Sequence, residues 1–297
     1  MGIIRTAISP LIRGGVGALS YYVRDGQQTV RQRTNNSNYG DGARRTLPQQ
    51  YRRARWGCLV NTYRECLPWI HGAFEIQKAG QTDFSRFMAL NIDQSEAYLT
   101  KQMCKTGSAV ITKLTISEGS LKPLLENIIT IPEHQGLKFI EVGLSYPSHS
   151  GSFETLGEFS QFLLERNKEI LRDGDNLAFV QFVNAAEAQS FPYLTTYYDE
   201  ITLDSSSQAY WGDINLSGDL TSSPDGLLAW GPSMQVFAGR AAAVILTRRV
   251  RGKLKVSTQQ VLLYDSSFST IYTSNAAKQA AAFSYGVDEE VQLAPGE

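Results

Sequence analysis

The first 66 residues contain no lysine and only three acidic residues, Asp25, Asp41 and Glu65, although they hold eleven arginines. Their formal charge is therefore +8, whereas the rest of the chain, with 17 basic and 26 acidic residues, carries −9. A net charge of −1 thus conceals a basic arm on an acidic body. Because charge distribution governs association rather than fold, this asymmetry indicates that the arm holds nucleic acid or the acidic body of a neighbouring copy.

Paired cysteines and long apolar runs are also missing. The three cysteines, Cys58, Cys66 and Cys104, are an odd number and do not have the spacing of a zinc site. We therefore expect neither a disulfide framework nor a zinc site. Unpaired cysteines also indicate that the protein functions in a reducing compartment. No stretch of 18 apolar residues occurs, which argues against a transmembrane helix. The first residues lack the apolar core and cleavage site of a secretory signal. We therefore expect no association with membranes.

Signatures of catalysis and metal binding are absent as well. The chain has no P-loop, no dinucleotide-binding glycine pattern and no nucleophile elbow, and His134 and His149 lie in polar segments typical of surface turns. The segment from Asp213 to Asp219 begins like a calcium loop, but the twelfth position, which supplies a bidentate acid, is Pro224. The sequence therefore predicts a protein that is not an enzyme and has no cofactor and no metal.

The arm contains the strongest local structure signal. Two strands, 19–24 and 27–33, flank Asp25-Gly26, a dipeptide typical of a two-residue hairpin turn. A polar loop follows, and a helix is predicted to begin at Leu47, with Pro48 in its first turn, and to end at Pro68. The hairpin and loop have little apolar surface of their own, so we expect them to lie on something else.

The remaining pattern is mostly β. Strands are predicted at 110–116, 128–131, 137–144, 176–183, 195–203, 234–237, 241–249 and 256–265. Helices are predicted at 84–90, 96–103, 156–172 and 275–283. The fold class expected is mainly β (α+β), with a β-sandwich, immunoglobulin-like or barrel-like core, one or two helices and an extended N-terminal hairpin arm. The arm would comprise residues 1–46 and the body 47–297, with two halves, about 47–150 and 151–297, as an option.

Arginines and aromatic residues alternate in the arm and in the helix after it. The residues predicted to bind a partner are Tyr21, Tyr22, Arg24, Arg31, Arg33, Arg44, Arg45, Arg52, Arg53 and Arg55. Tyrosine and arginine are enriched in protein interfaces, and arginine pairs with carboxylates in a fixed, bidentate geometry. The same composition could clamp phosphates and stack bases, or form a solvated face. A second basic run, 248–255, is predicted to be an exposed hairpin tip.

Several short motifs follow one another along the chain. The first comprises Gly14-Gly15-Val16-Gly17, Tyr21, Tyr22, Arg31, Gln49, Gln50, Arg53 and Trp56. Later, Ser117-Glu118-Gly119-Ser120-Leu121 forms a Ser-x-Gly-x-Leu element, and Ser257-Thr258-Gln259 forms a Ser-x-Gln strand motif. In these motifs and their order, the chain resembles an uncharacterised domain family of Bacteroidetes bacteria and their tailed phages. Before the helix, Arg45-Thr46-Leu47-Pro48 replaces the Pro-x-Thr run usual in that family. The resemblance covers most of the chain and implies an assembly role without catalytic residues.

Charge and resemblance together predict a structural, non-enzymatic subunit of a bacteriophage virion, assembled in the bacterial host cytoplasm. It would be a viral structural protein of the head–tail connector ring, the tail or the capsid, with copies of itself and other virion proteins as partners. A nucleic-acid-binding module is the first alternative. The second is a carbohydrate-binding β-domain, in which Tyr210, Trp211 and Trp230 would stack on sugars.

Overall fold

The computed structural model describes residues 2–4, 14–16, 19–24, 27–32, 47–75, 80–131, 138–146, 153–186, 191–214, 216, 218–231 and 239–286. The chain divides into two compact units. One contains the strands of the arm, and the other, Leu47–Gln77 with Gln81–Tyr285, contains the helices and the remaining sheets. Within the described part, no helix is both long enough and apolar enough to cross a membrane.

The arm unit is a four-stranded antiparallel sheet in the order β1-β4-β3-β2. Its strands are β1 (Gly2–Ile4), β2 (Gly14–Val16), β3 (Leu19–Arg24) and β4 (Gln27–Gln32). In the central pair Leu19 lies opposite Gln32 and Arg24 lies opposite Gln27, so two residues connect the strands. The hairpin predicted around Asp25-Gly26 is confirmed.

The body contains six helices and eleven strands among its described residues. The helices are α1 (Leu47–Glu65), α2 (Asp83–Asn91), α3 (Lys101–Lys105), α4 (Leu156–Arg166), α5 (Ser267–Thr273) and α6 (Asn275–Gly286). The strands are β5 (Thr115–Ser117), β6 (Glu126–Thr130), β7 (Lys138–Ser145), β8 (Asn176–Ala185), β9 (Tyr193–Thr202), β10 (Asp219–Ser222), β11 (Leu227–Gly231), β12 (Arg240–Val250), β13 (Lys253–Val256), β14 (Gln259–Gln260) and β15 (Leu262–Leu263).

The centre of the body is a five-stranded antiparallel sheet in the order β13-β12-β8-β9, with β15 also paired to β12. Both faces of this sheet are covered. Val180 and Phe182 pack on one face with side chains from α1 and α2, whereas Leu177 and Phe179 pack on the other. A strand covered on both faces needs apolar residues at every position, which explains why β8 and β12 are almost uninterrupted apolar runs in the sequence.

A second antiparallel sheet, in the order β10-β11-β7-β6, faces the central one. Ile140, Val142 and Trp230 from this sheet share one buried cluster with Phe179 and Val244 of the central sheet. Helix α4 joins the same cluster through Phe159 and Leu163, among others. Two facing antiparallel sheets packed with helices form a mainly β, α+β fold, as the sequence predicted.

The strand predicted at 110–116 is wrong except for its end, because β5 begins only at Thr115. Side chains of two buried asparagines replace the missing ladder. The backbone N of Ile111 donates to Oδ1 of Asn184 at 2.8 Å, and Asn91 holds Thr115 by accepting from its backbone N and donating to its carbonyl oxygen. The alternating apolar pattern arises because Ile111 and Leu114 are buried, not because the backbone is extended.

Asn91 gives a direct test of this arrangement. Replacing Asn91 with alanine removes the bonds to Thr115 and the bond from Nδ2 to the Phe87 carbonyl oxygen, leaving buried backbone groups unpaired. We expect the free energy of unfolding to fall by about 2–4 kcal/mol. Chemical denaturation measures it, with Asn127→Ala on the exposed face of β6 as the matched control, for which we expect a change within about 0.5 kcal/mol.

Other boundaries also differ from the predictions. Helix α4 ends at Arg166 rather than 172. In place of the helix predicted at 96–103, α3 begins only at Lys101 and ends at Lys105. The hairpin partner of β12 is β13, not 256–265, and the two-residue turn between them places Arg251 and Gly252 at φ 51° and 76°. Both values are left-handed, as this turn type requires. Helix α5 was not predicted, and the strand predicted at 234–237 lies outside the described residues.

Candidate assembly surfaces

The structure places the predicted contact residues on two different elements. Four of them belong to the arm sheet: Tyr21, Tyr22, Arg24 and Arg31. Three others lie on α1: Arg52, Arg53 and Arg55. The remaining three lie outside the described residues: Arg33, Arg44 and Arg45.

Among the described residues, two stretches of strand in the arm sheet have a paired strand on one side only. β2 pairs with β3 only as far as Tyr21, so no described strand continues along residues 22–24 on that side. β1 pairs with β4 only from Gln28 to Val30, so residues 31–32 are likewise without a described neighbour on that side. Each of these stretches contains a predicted contact arginine, Arg24 or Arg31. An open edge is a template for pairing with another chain.

The outward face of α1 carries charge and one aromatic ring. Arg52 and Arg53 are exposed, and Trp56, four residues after Arg52 and on the same face, is 45% exposed. The rings of Trp56 and Phe84 pack nearly perpendicular to each other, with their centroids 6.4 Å apart. Arg55 is only partly exposed, and its buried Nε has no hydrogen-bond partner among the described residues. This face therefore presents guanidinium groups beside an aromatic ring.

The body has its own strand edge at β9, which sequence reasoning missed as a contact surface. β9 is the outer strand of the central sheet over ten residues, and no described strand pairs with its outer side. Tyr193 and Tyr197 project from one face of this edge and are each 48% exposed. A hydrogen bond of 2.7 Å from Thr196 Oγ1 to the carbonyl oxygen of Glu65 fixes the other face to the end of α1. The sequence signal that could have indicated this surface is a strand that contains several tyrosines and no basic residue.

A groove of about 460 Å³ adjoins β9 on the face of the central sheet that the helices partly cover. Its polar lining residues are His71, Asn176, Tyr198, Glu200, Thr202, Thr247, Arg248 and Arg249. Asn176 lies between Thr202 and Thr247 on adjacent strands, so these three residues form a polar row across the sheet. Apolar walls come from Trp69, Ile245 and Leu254.

The carboxylate of Glu200 is held in a defined position within this groove. Its Oε2 accepts hydrogen bonds from Asn176 Nδ2 at 2.9 Å and from the Tyr198 hydroxyl at 2.5 Å. Burial and the bond to Glu200 raise the pKa of Tyr198, so its hydroxyl keeps its proton and donates at neutral pH. The Tyr198 ring stacks on Trp69 with centroids 6.1 Å apart and an interplanar angle of 8°. The groove therefore presents a fixed negative charge beside an aromatic pair.

Two buried polar atoms in the groove are unpartnered among the described residues. They are Nε1 of Trp69, a donor on a residue that is 7% exposed, and Oδ1 of Asn176, an acceptor. A buried polar group without a partner costs about 1–3 kcal/mol.

The two later motifs of the sequence meet in the structure. Ser117 Oγ donates to the carbonyl oxygen of Ser257 at 2.8 Å and accepts from the backbone N of Gln259 at 3.1 Å, and all three residues are buried. A Cβ on Gly119 would lie 2.3 Å from the Val256 carbonyl oxygen, so only glycine permits this close approach. These motifs join β5 to the central sheet, and Ser117, Ser257 and Gln259 pack inside the body, whereas Ser120 is exposed.

The aromatic residues considered for sugar stacking are divided between core and surface. Trp230 is fully buried and packs 5.2 Å from Phe179. Trp211 stacks on Phe159 at 4.2 Å, and Tyr210 is 62% exposed. Both tryptophan rings thus pack against phenylalanine rings of the body.

The cysteines are free, and burial raises the pKa of the Cys58 thiol to about 12. His71 is exposed and lies 3.6 Å from Asp83, whereas His134 and His149 lie outside the described residues. Among the residues that the structure describes, no three histidine, cysteine or acidic side chains cluster as metal ligands.

Comparison with protein-family models, with curated proteins and with solved structures gives no significant match.

Proposed function

We propose that the chain is a structural, non-enzymatic subunit of a bacteriophage virion that assembles through its basic arm. The observation that carries this proposal is the opposite charge of the arm and the body. Residues 1–46 hold seven arginines and two acidic residues, whereas residues 47–297 hold 21 basic and 27 acidic residues, and the strands of the arm belong to a compact unit distinct from the body. Among the described strands, none pairs with residues 22–24 of β3 on the β2 side or with residues 31–32 of β4 on the β1 side. An element with these properties is suited to binding the body of another copy.

In the proposed mechanism, the arm of one copy binds the body of the next. Such a contact joins two different surfaces, so repeated copies close into a ring when the rotation between neighbours permits. The seven arginines of residues 1–46, which contain no lysine, favour fixed, bidentate pairing with carboxylates over diffuse attraction. A head–tail ring, a tail component or a capsid auxiliary protein would each use this contact, and other virion proteins would be further partners.

The test is the mass of the purified protein in solution, with and without residues 1–46, at low and high salt. We expect the full chain to form a defined oligomer that weakens as salt screens the charges, and the shortened chain to be a monomer. Thermal unfolding of the shortened chain checks that its body remains folded. An oligomer that persists without the arm would contradict the proposal.

A nucleic-acid-binding module is the alternative, and the exposed Arg52, Arg53 and Trp56 on α1 favour it. Guanidinium groups beside an aromatic ring can hold phosphates and stack a base. The same preparations distinguish the two functions when single-stranded DNA is added. A full chain that is monomeric at every salt concentration but binds DNA with an affinity that falls steeply with salt would support the alternative.

A further inference from the structure

We propose that the groove beside β9 binds a small zwitterion, a free amino acid with a basic side chain, whose cationic end binds Glu200 and whose carboxylate binds Arg249. The volume of the groove, about 460 Å³, is ample for one amino acid. All the residues that line it belong to the body, so binding there depends neither on the arm nor on assembly.

The sheet register places the two charges at opposite ends of the groove. Glu200 on β9 lies opposite Ala178 on β8, and Ala178 lies opposite Ile245 on β12. Arg249 is four residues beyond Ile245 and points to the same face, because side chains alternate along a strand. Two strand spacings across and four residues along place the Cα atoms of Glu200 and Arg249 about 16 Å apart. Their side chains, reaching inward, reduce this gap to roughly the length of one extended arginine.

Both charged groups have unused binding capacity. Oε2 of Glu200 accepts from Tyr198 and Asn176, whereas its Oε1 has no hydrogen bond among the described residues. Arg249 is exposed and forms no hydrogen bond or ion pair with any described residue, unlike its neighbour Arg248, which binds Asp175. Two opposite charges that face one groove without pairing are complementary to a ligand with a charge at each end.

The floor between the two charges suits the middle of such a ligand. Ala178 is small and leaves room for methylene groups beside Glu200. The hydroxyls of Thr202 and Thr247 have no hydrogen-bond partner among the described residues, and neither residue is buried. Because Thr247 is two residues from Arg249 on the same face, it can accept a hydrogen bond from the α-amino group of a ligand whose carboxylate binds Arg249.

The wall above the floor is already in place in the free body. At one end the Trp69 ring stacks on Tyr198. At the other end Gly72 packs so closely on Leu254 that a Cβ on the glycine would lie 2.8 Å from Cδ2 of Leu254. Between α1 and α2 the backbone N of Gly72 also donates to Oδ2 of Asp83 at 3.4 Å. A preformed wall lowers the ordering cost of binding.

L-arginine is the probe, because the planar fork of a guanidinium matches a carboxylate of fixed orientation. Two analogues each lack one charged end. L-citrulline has the same length but a neutral ureido group, and agmatine has the guanidinium but no carboxylate. Isothermal titration calorimetry of the full chain compares the three, and we expect arginine to bind saturably and each analogue to bind at least about tenfold more weakly.

Two variants assign each end of the ligand to its residue. In Glu200→Gln we expect the affinity for arginine to fall to that for citrulline, and in Arg249→Gln to that for agmatine. Glu165→Gln on the exposed side of α4 and Arg251→Gln in the turn after β12 remove the same charges outside the groove, and we expect both to bind arginine as the wild type does.

Arginine that does not saturate the wild-type chain would overturn the proposal. So would unchanged arginine binding in both Glu200→Gln and Arg249→Gln, or a loss of binding that the two control variants share. The comparison of the three ligands uses the wild-type chain and therefore holds even if a variant does not fold. None of these results bears on whether deletion of residues 1–46 dissolves an oligomer, so the proposed function is tested separately.

Discussion

Replacing Asp175 with alanine is expected to lower the free energy of unfolding by about 3–5 kcal/mol. Asp175 is fully buried, and its two carboxylate oxygens accept from Nε and Nη2 of Arg248 at 2.6 and 2.7 Å. It also accepts from the backbone N of Arg172 at 2.8 Å. The substitution leaves the guanidinium of Arg248, which is largely buried, without its counter-charge. That unpaired charge, rather than the lost attraction alone, makes the effect large.

Urea denaturation of Asp175→Ala, Arg248→Met and the double variant measures this effect. Because the double variant buries neither charge alone, we expect it to be less destabilised than the sum of the two single variants. Strict additivity would show that the pair does not act as a unit, and a loss below about 1 kcal/mol for Asp175→Ala would contradict the prediction. A control is Asp225→Ala at an exposed turn, with an expected change within about 0.5 kcal/mol.

As the pH rises from about 4.5 to about 8, the free energy of unfolding of the wild-type chain is expected to fall relative to that of the Glu126→Gln variant. Glu126 on β6 accepts a hydrogen bond from the backbone N of Val244 on β12, at 2.5 Å, and so links the two sheets. Desolvation in this position raises the pKa of Glu126 to about 8, and the bonds from Val244 and Gln259 only partly oppose it.

The direction follows from proton binding. Between the unfolded and folded pKa values the folded chain binds the proton and the unfolded chain does not, so raising the pH favours unfolding, by at most about 1.4 kcal/mol for each pH unit. Glutamine stays neutral and can still accept from Val244. Denaturation curves at pH 5, 6, 7 and 8 give the difference between the two chains. Glu165→Gln, on an exposed face, is the control, and a difference independent of pH would show that Glu126 is not protonated in the folded state.

Local signals in the sequence predicted several elements because their causes are local. Asp25-Gly26 predicted the arm hairpin, and Pro48 and Pro68 predicted the bounds of α1 to within a few residues. The apolar run of β8 was evident because both faces of that strand are buried. The charge asymmetry, which underlies the proposed function, can be counted directly from the order of residues in the sequence.

Contacts between distant residues determined the rest. Whether 110–116 would be a strand depended on Asn91 and Asn184, which are up to 73 positions away from the backbone groups that they bind. The hydrophobic periodicity of 110–116 contains no information about partners this distant in the sequence. The meeting of Ser117 with Ser257 and Gln259 is a contact of the same kind, across 140 or more residues.

The sequence by itself determined the β-rich class, the arm hairpin and the opposite charges of the arm and the rest of the chain, since composition, turn residues and periodicity act over a few residues. Only the tertiary structure decided which strand is left at an edge, because edge position depends on sheet order. It also decided that Tyr198 and Asn176 orient Glu200 and that Asp175 meets Arg248, since each contact needs strands that pair only in the folded chain.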